Sequence, residues 1–285
     1  MNAEKSFTVF LEDIAANIFT ETASDVQRLC FRLRFHPDNE KLENTDIAGL
    51  IKKQLNGGFS ENSINPILGD VIKKIKDKFA PQMAADGIDI AKLTPGRGKP
   101  KEKESPWKIV YGWLRMKWIW QSLVEKADKH CQWIDFLSPE LRNGIVIPPP
   151  RQKRQLQVKA AYSMRIELQH SSRNLLLLNQ GWTTKNVLIP SIAFAPKCQL
   201  DGKPMWIPQD GSILQECQEW INFDTPGKEE FVGIVLDENL DFDWLDLRDD
   251  NHVPTWDETR LSQLWSYLEG KENWQVFYQD FEVVG

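Results

Sequence analysis

Four short runs decide how this chain is read: Arg165-Ile-Glu-Leu-Gln-His170, Asn174-Leu-Leu-Leu-Leu-Asn179, Asn186-Val-Leu-Ile-Pro-Ser191 and Met205-Trp-Ile-Pro208. Each is apolar or alternating and each is bounded by Asn, Gly, Ser or Pro, the pattern of strands and their turns. Leu175–Leu178 is apolar on both faces, as a central strand of a packed sandwich is. Val187–Ile189, Met205–Ile207, Ile213-Leu214, Trp220–Phe223 and Phe231–Leu236 follow at spacings typical of an antiparallel sandwich or barrel. Thr225-Pro-Gly-Lys228 supplies a turn. Upstream, Leu156, Val158, Ala160, Ile166 and Leu168 predict a long strand or a strand pair.

Downstream, Thr255-x-x-Glu258 reads as a capping box for a helix with Leu261, Leu264, Trp265 and Leu268 inward and Gly270 at its end. The alternation from Trp274 to Val283 predicts a closing strand. The N-terminal third changes period. Phe10, Leu11, Ile14 and Ile18 share one helical face; Ser24 caps a second helix bearing Val26, Leu29, Cys30 and Leu33. Thr45 is placed to cap a third, closed by Gly57-Gly58, and Asn65-Pro66 to start a fourth, with Lys73, Lys74, Lys76 and Lys78 mostly outward. Residues 86–106 form a basic linker rich in Pro and Gly. From Ser105-Pro106 a Trp-rich helix is apolar around more than half its circumference, and Trp133, Phe136 and Leu137 extend the same cluster. Ile145–Pro150 and the basic tetrad Arg151–Arg154 read as an extended entry to the β-unit. The expected architecture is therefore α+β. An N-terminal all-α module (1–85), the linker (86–106) and a Trp-rich helical segment (107–144) precede an antiparallel β-sandwich-like domain with a C-terminal helix (145–285).

The 285 residues carry a net charge of −6 with an internal asymmetry. From Asp201 onward there are 20 acidic and 5 basic side chains, a net of −15, which leaves +9 on residues 1–200. Faces of opposite sign suit either each other or separate partners. Twelve Trp residues are many for this length, and Trp gathers where a core reaches the surface or another molecule. No apolar run is long enough to span a membrane and no charged-then-apolar leader opens the chain, so a cytoplasmic protein is expected, with Cys30, Cys131, Cys198 and Cys217 as isolated thiols.

No pattern for catalysis, cofactor or metal stands out. His130-Cys131 are neighbours whose side chains diverge on a helix, and the scattered His and Cys lack the close pairs zinc uses. Pro95-Gly-Arg-Gly-Lys99 lacks the preceding strand and following hydroxyl of a phosphate loop. The acidic stretch Asp237–Asp250 lacks the register of a calcium-binding loop, but its interleaved aromatics resemble a docking segment.

Two resemblances add to this reading. Asn174–Gly181, Leu188–Ser191, Ala193–Pro196, Trp206–Gln209 and Pro226–Phe231 resemble blocks of a β-rich domain of unknown function frequent in cyanobacterial proteins, over roughly residues 145–285. There it sits C-terminal to caspase-like, kinase or other signalling modules. It has no assigned catalytic residues, so none is transferred. Val26–Leu33 and Ile47–Ile51 resemble helices of death-fold-like effector-associated adaptor domains. Together these imply a non-enzymatic adaptor or regulator in a bacterial signalling or defence assembly, its partner another protein such as a caspase-like protease, a kinase or another effector. The candidate contact residues are Trp113, Trp120, Asp243, Trp244 and Asp246. The alternative is a nucleic-acid-binding regulator using Arg97, Lys99, Lys101, Lys103, Trp107, Lys108 and Arg115, with indoles to stack on bases.

Overall fold

The computed structural model describes residues 3–19, 24–93, 105–140, 155–245 and 253–285. The chain divides into two compact units, Met1–Trp118 and Ile119–Gly285, and the division falls inside one helix. Among the described residues no helix is long and apolar enough to cross a membrane.

The first unit contains α1 (Ala3–Ile18), α2 (Asp25–Arg34), α3 (Asn44–Gln54), α4 (Ile64–Ala85) and the first part of α5 (Pro106–Lys126). Ser24 caps α2 by accepting from the Gln27 N–H. The cap of α3 is Glu43 rather than Thr45: the Glu43 N–H donates to the Asp46 carboxylate at 2.9 Å, so a box of two acidic residues starts this helix two positions before the hydroxyl. Phe31, Ile47, Ile51, Val71, Ile75 and Leu114 are fully buried between these helices, each worth about 1.5–3 kcal/mol of apolar transfer. Arg34 is buried among them. Its guanidinium donates to the carbonyls of Leu42 (2.6 Å), Asn39 (2.7 Å) and Glu40 (3.1 Å) and lies 3.6 Å from the Trp107 ring centroid. One cation thus closes the α2–α3 turn and covers an indole. Within the stretch read as linker, Ile90–Leu93 make a 3-10 turn that buries Leu93; residues 94–104 lie outside the described residues.

The second unit is α+β, as the runs predicted. Its strands are β1 (Ile134–Leu137), β2 (Gln155–Gln157), β3 (Ser163–Ile166), β4 (Ser171–Gln180), β5 (Lys185–Ile189), β6 (Gln199–Asp201), β7 (Met205–Ile207), β8 (Gly227–Leu236) and β9 (Trp274–Val284). The larger sheet has the order β2-β9-β8-β4-β5, with β6 also on β4; the smaller is β1-β3-β7. Pairing is antiparallel throughout except β2 with β9, which is parallel. The two sheets share one core: Ile134, Met164, Ile166 and Ile207 of the smaller meet Leu175, Leu177, Phe231, Phe277 and Phe281 of the larger. Phe136 and Phe231 both stack edge-on against Phe281, at 4.9 and 5.8 Å. The opposite face of the larger sheet carries Leu176, Leu178, Val232, Ile234 and Val276, all buried, with Trp265 of the helix α7 (Glu258–Glu269) against Trp274.

Several local expectations are corrected here. Ile134–Leu137 is a strand, not an extension of the Trp-rich helix, because β3 supplies its ladder and Gln279 its end. The buried Gln279 amide accepts from the Trp133 and Ile134 N–H groups at 3.0 Å each and donates to the Ile134 carbonyl at 2.7 Å. A side chain thereby takes the place of a neighbouring strand. Ile213–Glu216 is a short helix, α6, because Ser212 caps it at the Gln215 N–H. Trp220–Phe223 makes only an isolated bridge, Tyr162 to Ile221. The predicted upstream strand pair is real, but its members lie in different sheets, with Lys159 in the left-handed region (φ 60°) between them. The cap of α7 is Asp257, which accepts from the Arg260 N–H at 2.9 Å; Thr255 instead bridges Asn186. Gly270 ends that helix as expected.

Candidate functional site

The sequence-predicted contact residues fall in three environments. Trp113 is buried in the first unit, where its indole N–H donates to Asp86 at 2.8 Å and its ring meets Phe79. Trp120 is buried in the second unit, stacked on Trp256 at 4.9 Å with the rings 10° from parallel. Trp244 is half-buried. It stacks on Phe242 at 5.2 Å, and its N–H donates to Gln263 of α7 at 3.1 Å. Asp243 beside it is exposed, and Asp246 lies outside the described residues. Of the nucleic-acid set, Trp107 is buried beneath Arg34, and Arg115 pairs with Glu40 at 3.6 Å. Lys108 is exposed near the Trp107 ring, and Arg97, Lys99, Lys101 and Lys103 lie outside the described residues. Among the described residues of these sets, Trp107, Trp113 and Trp120 are buried and Trp244 is engaged by Phe242 and Gln263.

The structure presents a residue that the sequence reading passed over. Trp182 is 60% exposed, whereas the other eleven Trp side chains are buried or half-buried. It sits at the tip of the β4–β5 hairpin, in a turn closed by the Gly181 N–H to the Thr184 carbonyl at 2.9 Å. The turn is anchored from below by Glu229, a carboxylate that is itself buried. The Asn179 amide donates to it at 2.8 Å, and Gly181 leaves the room it occupies: a Cβ there would overlap the carboxylate and lie 2.6 Å from the Thr184 hydroxyl. Burial raises the Glu229 pKa, partly offset by the Asn179 bond. The Trp256 indole donates to the Asn179 carbonyl at 3.1 Å, and the Val187 N–H to the Pro254 carbonyl at 2.7 Å, so residues 254–256 cover the β5 edge behind the tip.

The other face of the same sheet end is a closed polar network. Lys228 donates to Glu230 and to the Tyr278 hydroxyl at 2.9 Å each and lies 3.2 Å from Asp280; Tyr278 donates to Glu230 at 2.6 Å. Burial disfavours the Lys228 charge, but the bonds to Tyr278 and Glu230 outweigh it and hold its pKa above the ordinary lysine range. Burial and the Glu230 bond raise that of Tyr278. Neither group is poised to exchange a proton near neutrality, so the network ties β8 to β9 beside the hairpin. The signal that would have found Trp182 is an aromatic in a Gly-Trp-Thr-Thr turn between two strands, where no core position exists to receive it.

The chain matches no protein-family profile, no curated protein and no solved structure with which it was compared.

Proposed function

We propose that this chain is a non-enzymatic adaptor or regulatory protein that binds another protein through its C-terminal unit, in a bacterial signalling or defence assembly. The observation that carries the reading is Trp182, 60% exposed on a hairpin tip anchored by the buried Glu229. Tryptophan is the residue most enriched among dominant interface contacts, and completing its burial on a partner stabilises a complex by ~3 kcal/mol from area alone. The net charge of −15 from Asp201 onward favours a partner with a basic face, through steering and selection more than affinity. The resemblance points to a caspase-like, kinase or other effector as that partner.

The test is affinity capture from native extract, untreated and nuclease-treated in parallel, at low and moderate salt, with wild type and Trp182→Ala side by side and circular dichroism to verify equal folding. The expected result is one protein that survives nuclease and moderate salt and is retained at least ~tenfold less by the variant. Equal retention by the variant overturns the role of Trp182. Recovery of nucleic acid that is lost steeply as salt rises shifts the reading to the basic segment around Lys108 and Arg115.

A further inference from the structure

A second feature of the C-terminal unit has chemistry of its own. An open pocket of about 480 Å³ lies where the end of α5 meets the start of β9, with Lys126, Asp128, His170, Trp274, Val276 and Phe277 among its lining residues. Its floor is aromatic and apolar. Its rim holds one cation and one anion that do not pair with each other.

Both charges are held in place by backbone and ring contacts. Asp128 runs beside β9 as a one-residue parallel strand: its N–H donates to the Val276 carbonyl at 2.8 Å, and its own carbonyl accepts from Tyr278 at 3.2 Å. One of its carboxylate oxygens caps the His130 N–H at 2.8 Å, leaving the second for a ligand. Lys126, in the last turn of α5, places its ammonium 4.9 Å from the Trp265 ring and 5.0 Å from the Trp274 ring. Among the described residues it makes no hydrogen bond or ion pair. A lysine two residues from an aspartate on an ordinary surface is free to swing onto it; here the two indole faces compete for the ammonium and keep the charges apart. His170 packs against Phe277 at 5.7 Å, and burial with the nearby Arg173 charge lowers its pKa, so it faces the pocket as a neutral ring at pH 7.

We propose that this pocket binds a small aromatic zwitterion of the free α-amino-acid class, its carboxylate on Lys126, its ammonium on Asp128 and its ring against Trp274 and Phe277. A simple anion meets Asp128 as a like charge, and a simple cation meets Lys126. Only a molecule carrying both charges next to a ring satisfies rim and floor together. This site is separate from the Trp182 tip and does not rest on the adaptor reading.

The experiment is an NMR titration of the full chain, followed through the indole N–H signals, with L-phenylalanine and two analogues, 3-phenylpropanoate without the ammonium and 2-phenylethylamine without the carboxylate. The expected result is a saturable shift of the Trp274 signal with a Kd on the order of 1 mM for L-phenylalanine, as an open site and about twelve non-hydrogen atoms imply. The Trp182 signal stays still. Each analogue binds roughly two- to fivefold more weakly, since each loses one exposed charge contact. Lys126→Met weakens L-phenylalanine and 3-phenylpropanoate but not 2-phenylethylamine, whereas Asp128→Asn weakens L-phenylalanine and 2-phenylethylamine but not 3-phenylpropanoate. No saturable shift, or equal affinity for the three ligands on the wild-type chain, overturns the proposal whatever the variants do.

Discussion

Glu229 and Gln279 show what single side chains do inside this sheet. Both are buried on the core face, yet only one is neutral at every pH. Gln279 meets its three partners with a neutral amide, so it joins β1 to β9 without desolvating a charge. Glu229 has one side-chain donor, Asn179, and burial raises its pKa. In the unfolded chain its carboxyl titrates in the ordinary range, about 4.3. Because the folded pKa is the higher one, the folded state binds the proton more tightly, and the stability this contributes is fully present below the unfolded value. It is lost as pH rises through the folded value, where a carboxylate must ionise out of water. Glu229→Gln keeps the acceptor for Asn179 and removes the ionisation. The variant is therefore expected to melt higher than wild type at pH 7, with the difference in Tm shrinking as pH falls into the ordinary glutamate range. A thermal-melt series over that window checks it, and a constant difference across the window contradicts it.

At the scale of elements, the contact between β8 and Trp133 is the sharpest constraint. Gly233 lies opposite Leu177 and Phe277 in the middle of the larger sheet, and a Cβ there would come within 2.6 Å of Cη2 of the fully buried Trp133. The indole has no free end to swing away, so Gly233→Ala forces either the β1 segment or the strand to shift. The expected loss is about 1–3 kcal/mol in urea unfolding, the range for overpacking a dense core; an unchanged midpoint would refute the packing described. This contact also explains which elements were legible beforehand. The 3.6-residue period of α1 to α4 and the alternation of β9 are local, and both appear where they were read. Trp133, Ile134, Phe136 and Leu137 form a short apolar run that fits helix or strand equally. What decides it is a glutamine 145 residues away and a strand, β3, that follows only after β2. The starts of α3 and α7 were each misplaced by two residues, because in both the segment offers a hydroxyl and a carboxylate and the carboxylate caps.

Across the whole molecule, composition showed that Trp is abundant but not where it goes. Trp113 and Trp120 stand on a helix apolar around most of its girth, and such a helix buries its indoles rather than offering them. Trp107 was read as a stacking platform for bases, but that surface is taken by Arg34, a residue no local pattern links to it. The charge asymmetry was fully legible because it is a count. The candidate contact was not, since Trp182 is distinguished only by its place at a hairpin tip, and that place follows from the pairing of β4 with β5 and β8. The resulting distribution has an optical consequence. With eleven indoles buried or half-buried and one 60% exposed, quenching by acrylamide, which is neutral and so insensitive to the acidic surface, should be heterogeneous: a steeply quenched minority over a protected majority. Trp182→Phe should remove most of the steep component while costing roughly a twelfth of the emission, with the far-ultraviolet circular dichroism unchanged. If the variant quenches as wild type does, the accessible indole is another one, and the surface built around Trp182 is the wrong place to look for the partner.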